Sequence, residues 1–104
     1  MKFRMISAKD LKEYIGREDI LLFDLREKNE YEKEHIKGAV WADWEMLDRD
    51  IEKFFHEKKT AVEWIILYCT HGSTSLLAAR DLARMGYPVM SLNGGYLGWK
   101  ARQT

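Results

Sequence analysis

Two segments of this chain are built of large hydrophobic residues at every position: Ile20-Leu21-Leu22-Phe23 and Trp64-Ile65-Ile66-Leu67-Tyr68. Strands that line a solvated sheet surface alternate apolar and polar residues, whereas strands covered on both faces are apolar throughout. The first run is therefore expected to be a strand buried on both sides, and the second is the strongest strand in the sequence. Shorter runs over Phe3 to Ile6, Ala39 to Trp41 and Val89 to Leu92 add three more. Between the runs lie amphipathic stretches. That alternation predicts an α/β fold with a mostly parallel sheet of about five strands and helices on both faces, hence three layers.

The helices follow from spacing and caps. Ser7 starts a helix over Ala8 to Ile15, which Gly16 ends. A polar stretch near Glu30 to Glu34 has short helical character. Trp44, Leu47, Ile51, Phe54 and Phe55 recur at helical spacing and predict one amphipathic helix over 44–57. A further helix begins near Thr74, with Leu76, Leu77, Ala79, Leu82 and Ala83 inside it, and stops at Gly86. Tyr96 to Arg102 form the last. Trp44, Trp64 and Trp99 are expected in the core, and Trp41 in the core or against a pocket. With 104 residues and no Pro, Gly or Ser-rich linker, residues 1–104 read as a single domain, long enough to bury roughly 60–70% of its unfolded surface.

Charge and cysteine content narrow the function. Seventeen Lys and Arg balance seventeen Asp and Glu. Zero net charge argues against nucleic acid or a membrane surface as partner, so any bound anion must be held by local geometry. The lone Cys69 excludes an intramolecular disulfide, a CxxC redox pair and a cysteine-rich zinc site. His35, His56 and His71 lack metal-ligand spacing, so no metal is expected. The N-terminal segment has no long apolar run, which predicts a soluble cytoplasmic protein without a signal peptide or membrane span.

Cys69 follows the strongest strand and precedes Thr70-His71-Gly72-Ser73-Thr74-Ser75 and a helix. In parallel α/β sheets ligands bind beyond the carboxyl ends of the strands. A helix N-terminus there offers unpaired amides and partial positive charge, which suit a thiolate. Gly72 lets the loop curl into an anion-binding nest, and the hydroxyls and imidazole supply short donors. An ordinary thiol is only a few per cent ionised at neutral pH, so such stabilisation matters for reactivity.

Three stretches of the sequence resemble the rhodanese homology domain, the fold of thiosulfate and related sulfurtransferases. Asp24-Leu25-Arg26-Glu27 through Tyr31 to His35-Ile36-Lys37-Gly38-Ala39 is similar to the family's D-x-R, acidic residue and G-H-I-P-G-A. Cys69 with its tight loop entering a helix is the second stretch. Leu92-Asn93-Gly94-Gly95-Tyr96-Leu97-Gly98-Trp99 resembles the closing L-x-G-G-x-x-x-W. The resemblance implies that Cys69 attacks the outer sulfur of thiosulfate, becomes a persulfide cradled by the amides of Thr70 to Ser75, and passes the sulfur to cyanide or to a thiol, which could be that of a protein. It implies no cofactor. It also implies structural support from Asp24, Arg26, Glu30, His35, Gly94 and Gly95, with Glu30 and His35 as loop anchors.

The sequence departs from the family pattern in two places. Many members carry arginines at the second and sixth loop positions, counting the cysteine as first. Here Thr70 and Thr74 stand there, so the loop has no fixed cation. Lys37 replaces the Pro of G-H-I-P-G-A. Phosphatase relatives need an arginine at the end of a longer loop to clamp phosphoryl oxygens, and the next arginine, Arg80, lies inside the helix. Gly94 to Gly98 cannot be a dinucleotide fingerprint, because too little chain follows for a second βαβ half. A persulfide carrier or protein-interaction module without efficient thiosulfate turnover is the competing function.

Overall fold

The structure, a computed structural model, describes residues 2–103. The apolar runs form five strands, β1 (Phe3–Ile6), β2 (Ile20–Asp24), β3 (Val40–Trp41), β4 (Trp64–Tyr68) and β5 (Val89–Leu92). They make one wholly parallel sheet in the order β1-β5-β4-β2-β3. Four helices connect them, α1 (Ala8–Leu11), α2 (Lys28–Lys33), α3 (Trp44–Glu57) and α4 (Ser73–Arg84), and α5 (Gly95–Gln103) follows the last strand.

The uninterrupted hydrophobicity of β4 has its expected cause. All five of its residues are buried, and they alternate between two cores. Trp64, Ile66 and Tyr68 join Ile20 and Leu22 of β2 on the face that packs against Leu11 of α1 and Tyr96 of α5. Ile65 and Leu67 join Phe23 on the opposite face, against Leu47 and Ile51 of α3 and Ala78, Ala79 and Leu82 of α4. Burying one leucine-sized side chain contributes about 1.5–3 kcal/mol, so both layers are needed to hold the sheet. Because every strand is parallel, Asp24, Tyr68 and Leu92 all end at one edge, and Cys69 follows there.

Local chemistry sets the helix limits. Asp43 caps α3, its Oδ1 accepting from the Met46 N–H at 2.9 Å. Ser7 caps α1 in the same way through the Asp10 N–H. That helix is shorter than its sequence pattern predicts. After Leu11 the Glu13 and Tyr14 N–H groups bond to carbonyls three residues back, so the chain continues as tight turns to Gly16.

Two apolar side chains also differ from expectation. Trp44 is 36% exposed, because α3 turns Leu47 and Ile51 rather than its first residue toward the sheet. Leu77 is 62% exposed, since α4 buries Ser75, Ala78, Ala79, Leu82 and Ala83 on the other side. Trp64 is buried and Trp99 half-buried against the α5 core. Among the described residues no helix is long and apolar enough to cross a membrane.

Candidate active site

Cys69 leaves β4 at the sheet's carboxyl edge, and the chain reverses at once through Thr70 to Gly72 into α4. Gly72 makes the reversal possible with φ +109°, a conformation that L side chains rarely adopt. The turn brings two amides onto the cysteine. The Gly72 N–H donates to Cys69 Sγ at 3.1 Å and the Ser75 N–H at 3.3 Å. The sulfur is 3.5 Å from Ser75 Oγ, which itself donates to the Gly72 carbonyl and lies 2.9 Å from Ser91 Oγ. Amide donors arranged this way are complementary to negative charge on sulfur.

A cavity of about 280 Å³ opens beside this sulfur. Cys69, Thr70, His71, Ser73 and Thr74 line one side, and Leu25, Arg26, Glu27 and Glu30 the other. The amides of Thr70, His71, Ser73 and Thr74 meet no protein acceptor among the described residues. Donors of this kind at a helix start bind anions.

The loop is held from beneath by the glycine pair. Gly95 opens α5, whose first amides donate to the loop carbonyls: Tyr96 N–H to Cys69 O at 2.7 Å and Leu97 N–H to Thr70 O at 3.1 Å. A β-carbon on Gly95 would lie 2.5 Å from Thr70 O and 2.6 Å from Cys69 O. Gly94 precedes it with φ +80°, and its backbone nitrogen lies near Gly72. The two glycines thus let one helix terminus grip the backbone of the cysteine loop.

Asp24 and Arg26 anchor the opposite wall. The Arg26 Nη2 to Asp24 Oδ2 distance is 2.8 Å, and Nη2 also donates to the Glu34 carbonyl at 2.6 Å. Tyr68 donates its hydroxyl proton to Asp24 Oδ2 at 2.6 Å and accepts from the Ile36 N–H. Burial works against the Arg26 charge, but the hydrogen bonds and charge of Asp24 outweigh it and raise its pKa. Burial, then the Asp24 contact, pushes the Tyr68 hydroxyl above the usual phenol range, so it stays protonated and donates. The guanidinium lies 3.8 Å from the Tyr96 ring centroid, and its backbone carbonyl accepts from the Trp41 indole N–H.

Breaking such a buried pair leaves a charge without its partner. Asp24→Ala is therefore expected to lower stability by about 3–5 kcal/mol, read as a fall in the urea midpoint. A loss under 1 kcal/mol would contradict the pairing.

The residues singled out from the sequence converge unevenly. Gly72 and Ser75 touch the sulfur through their amides, whereas Thr70, His71, Ser73 and Thr74 border the cavity. His35 stacks on Tyr31 at 3.9 Å and its Nδ1 lies 2.8 Å from the Tyr31 carbonyl, away from the cysteine. Glu30 departs from its expected part as a loop anchor. Its carboxylate forms no hydrogen bond or ion pair among the described residues, and it lines the cavity instead.

Sequence reasoning missed Ser91, Tyr68 and Tyr96. Ser91 alone left a trace, as a hydroxyl inside the otherwise apolar run Val89 to Leu92. Trp41, expected in the core or against the pocket, is half-buried and holds the Arg26 carbonyl.

The Rhodanese-like domain family matches residues 7–102. Thiosulfate sulfurtransferase GlpE of Coxiella burnetii is 34% identical over 102 residues, covering 97% of this chain and 91% of that protein. The protein of the same name from Pseudoalteromonas translucida is 33% identical, covering 97% and 92%. Among solved structures, a thiosulfate sulfurtransferase from Pseudomonas aeruginosa superposes with a TM-score of 0.81 at 27% identity, over 96% of this chain and 18% of that one. A rhodanese-related protein from Thermoplasma volcanium gives 0.77 at 25% identity, over 95% and 92%. The five-stranded parallel sheet, the cysteine turn and these likenesses agree: the chain belongs to the rhodanese-like domain family.

Proposed function

We propose that this chain is a sulfurtransferase that carries a sulfane sulfur on Cys69. The observation that carries this reading is the Cys69 sulfur itself, which meets two amides and opens into a cavity bordered by four more unpaired ones. The Cys69 thiolate attacks the outer sulfur of a thiosulfate-like donor. The donor's S–S bond breaks, its electron pair leaves with sulfite, and Cys69 becomes a persulfide anion.

The terminal sulfur then takes up the negative charge, which the loop amides stabilise without having to reorganise. Cyanide or a thiolate attacks that sulfur, and the pair from the new S–S bond returns to Cys69 Sγ. This chain holds no second cysteine, so the acceptor is another molecule. A single unpaired thiol fits a reducing compartment such as the cytoplasm. Residues 2–103 work as one domain, because both helical layers rest on the same sheet.

The proteins named thiosulfate sulfurtransferase among the relatives support thiosulfate as donor. A second reading, a persulfide carrier serving a protein thiol, is favoured by the loop's lack of any lysine or arginine between Cys69 and Ala79. Thiocyanate formation from thiosulfate and cyanide tests the first. Arg at Thr70 or Thr74, both on the cavity wall, is expected to lower the KM for thiosulfate about three- to tenfold at low salt, and less as salt rises. An unchanged KM in both variants would mean that the dianion does not meet this loop.

A further inference from the structure

We infer that Glu27 and Glu30 select among the thiols that reach Cys69 by charge, disfavouring anionic ones and drawing in those that carry a positive charge beside the reacting sulfur. The inference rests on the proposed role of Cys69 and names the substrate class that its pocket favours.

The charges around the cavity are lopsided. Glu27 is exposed and Glu30 half-buried, and both line the cavity. Neither carboxylate has a hydrogen bond or ion pair among the described residues, so no cation at ion-pair distance cancels either charge. Arg26 is the only lysine or arginine on the wall. Its charge is already matched by Asp24 at 2.8 Å and covered by the Tyr96 ring. The amide nest binds a small negative sulfur at short range, but a molecule in the cavity lies against a wall that carries two glutamates.

Over the width of such a cavity, less than a Debye length of roughly 8–10 Å, their field is not screened away. A dianion meets twice the repulsion of a monoanion, whereas an ammonium or guanidinium is attracted. A second cavity of about 470 Å³ shares Arg26 and Glu30 and is lined further by Lys33, Glu34, Leu97 and Lys100, leaving space for groups of either charge that flank the reacting thiol.

Sulfur delivery to such a thiol balances without any further reagent. The acceptor thiolate attacks the outer sulfur of Cys69–S–SH, and a new S–S bond forms on the acceptor. The bond to Sγ breaks with its electron pair remaining on Cys69. One persulfide is exchanged for another, so no oxidant or reductant enters.

The lone cysteine gives a direct test, because every thiol-directed label reports on Cys69. Rates of labelling by 2-aminoethyl methanethiosulfonate and by its 2-sulfonatoethyl counterpart are read by intact mass. Each is divided by its rate with free 2-mercaptoethanol. The cation-to-anion ratio is expected to exceed one, and to fall about tenfold in the Glu27→Gln, Glu30→Gln double variant. It should shrink in wild type at high salt and stay unchanged in Glu57→Gln, a residue on α3 outside this cavity. A wild-type ratio near one, or a ratio indifferent to the double substitution, overturns the inference.

Sulfur transfer from loaded Cys69 to cysteamine and to 3-mercaptopropionate should show the same dependence on the two glutamates. If Cys69 accepts sulfur from no donor, the transfer reading fails, while the labelling ratio still decides the role of Glu27 and Glu30.

Discussion

Cys69→Ser is expected to abolish sulfur transfer while leaving the fold intact. Serine is close to isosteric, and its Oγ can accept the Gly72 and Ser75 amides that now meet the sulfur. Buried polar satisfaction is therefore kept, and the urea midpoint should shift by no more than a few tenths of a molar. The chemistry has no such substitute. An alkoxide is far less accessible than a thiolate, and no second cysteine in this chain can take over. Turnover with thiosulfate and cyanide should fall by at least about three orders of magnitude. A serine variant that retains a tenth of the activity would place the sulfur elsewhere.

Gly95→Ala should be nearly as damaging, although residue 95 carries no chemistry. Its φ of +62° is disfavoured for alanine by roughly 1–2 kcal/mol. The new β-carbon would also lie 2.5 Å from Thr70 O, which is backbone and cannot swing aside. Relief requires α5 to withdraw, and then the bonds from Tyr96 and Leu97 to the loop carbonyls are lost, each contributing about 1 kcal/mol. We expect a loss of about 2–4 kcal/mol in stability, together with a fall in kcat as Cys69 loses its seat.

Gly98→Ala is the matched control. Its β-carbon would find nothing closer than 3.9 Å, and its backbone lies outside the left-handed region. Alanine inside α5 should leave activity unchanged and raise stability by up to about 1 kcal/mol. Equal behaviour of the two variants would remove the argument that Gly95 exists for close approach.

The sheet was legible because burial on both faces leaves an uninterrupted apolar run, and β4 and the first four residues of β2 are such runs. The limits of α3 were equally readable from the helical spacing of Trp44, Leu47, Ile51, Phe54 and Phe55. The cysteine turn could be seen because strand, glycine and helix start follow one another within a few residues. Contacts between distant segments left no such mark. Tyr68 reaches Asp24 across a 44-residue separation, and nothing in a strand of five hydrophobic residues announces that one hydroxyl holds a carboxylate.

Glu30 was misjudged for a related reason. Spacing puts it on a short polar helix, but only the assembled wall shows that its carboxylate has no partner and faces the cavity. Trp44 shows the converse error: a helical period does not say where the buried arc begins, and the first turn of α3 lies at its edge.

The most direct measurement incubates the full chain with thiosulfate, removes the donor, and records intact mass before and after addition of cyanide. The account predicts that wild type gains the mass of one sulfur atom, that peptide mapping places it on the segment containing Cys69, and that cyanide removes it as thiocyanate. Failure to gain sulfur at any donor concentration, or sulfur mapped to a segment without Cys69, would contradict it.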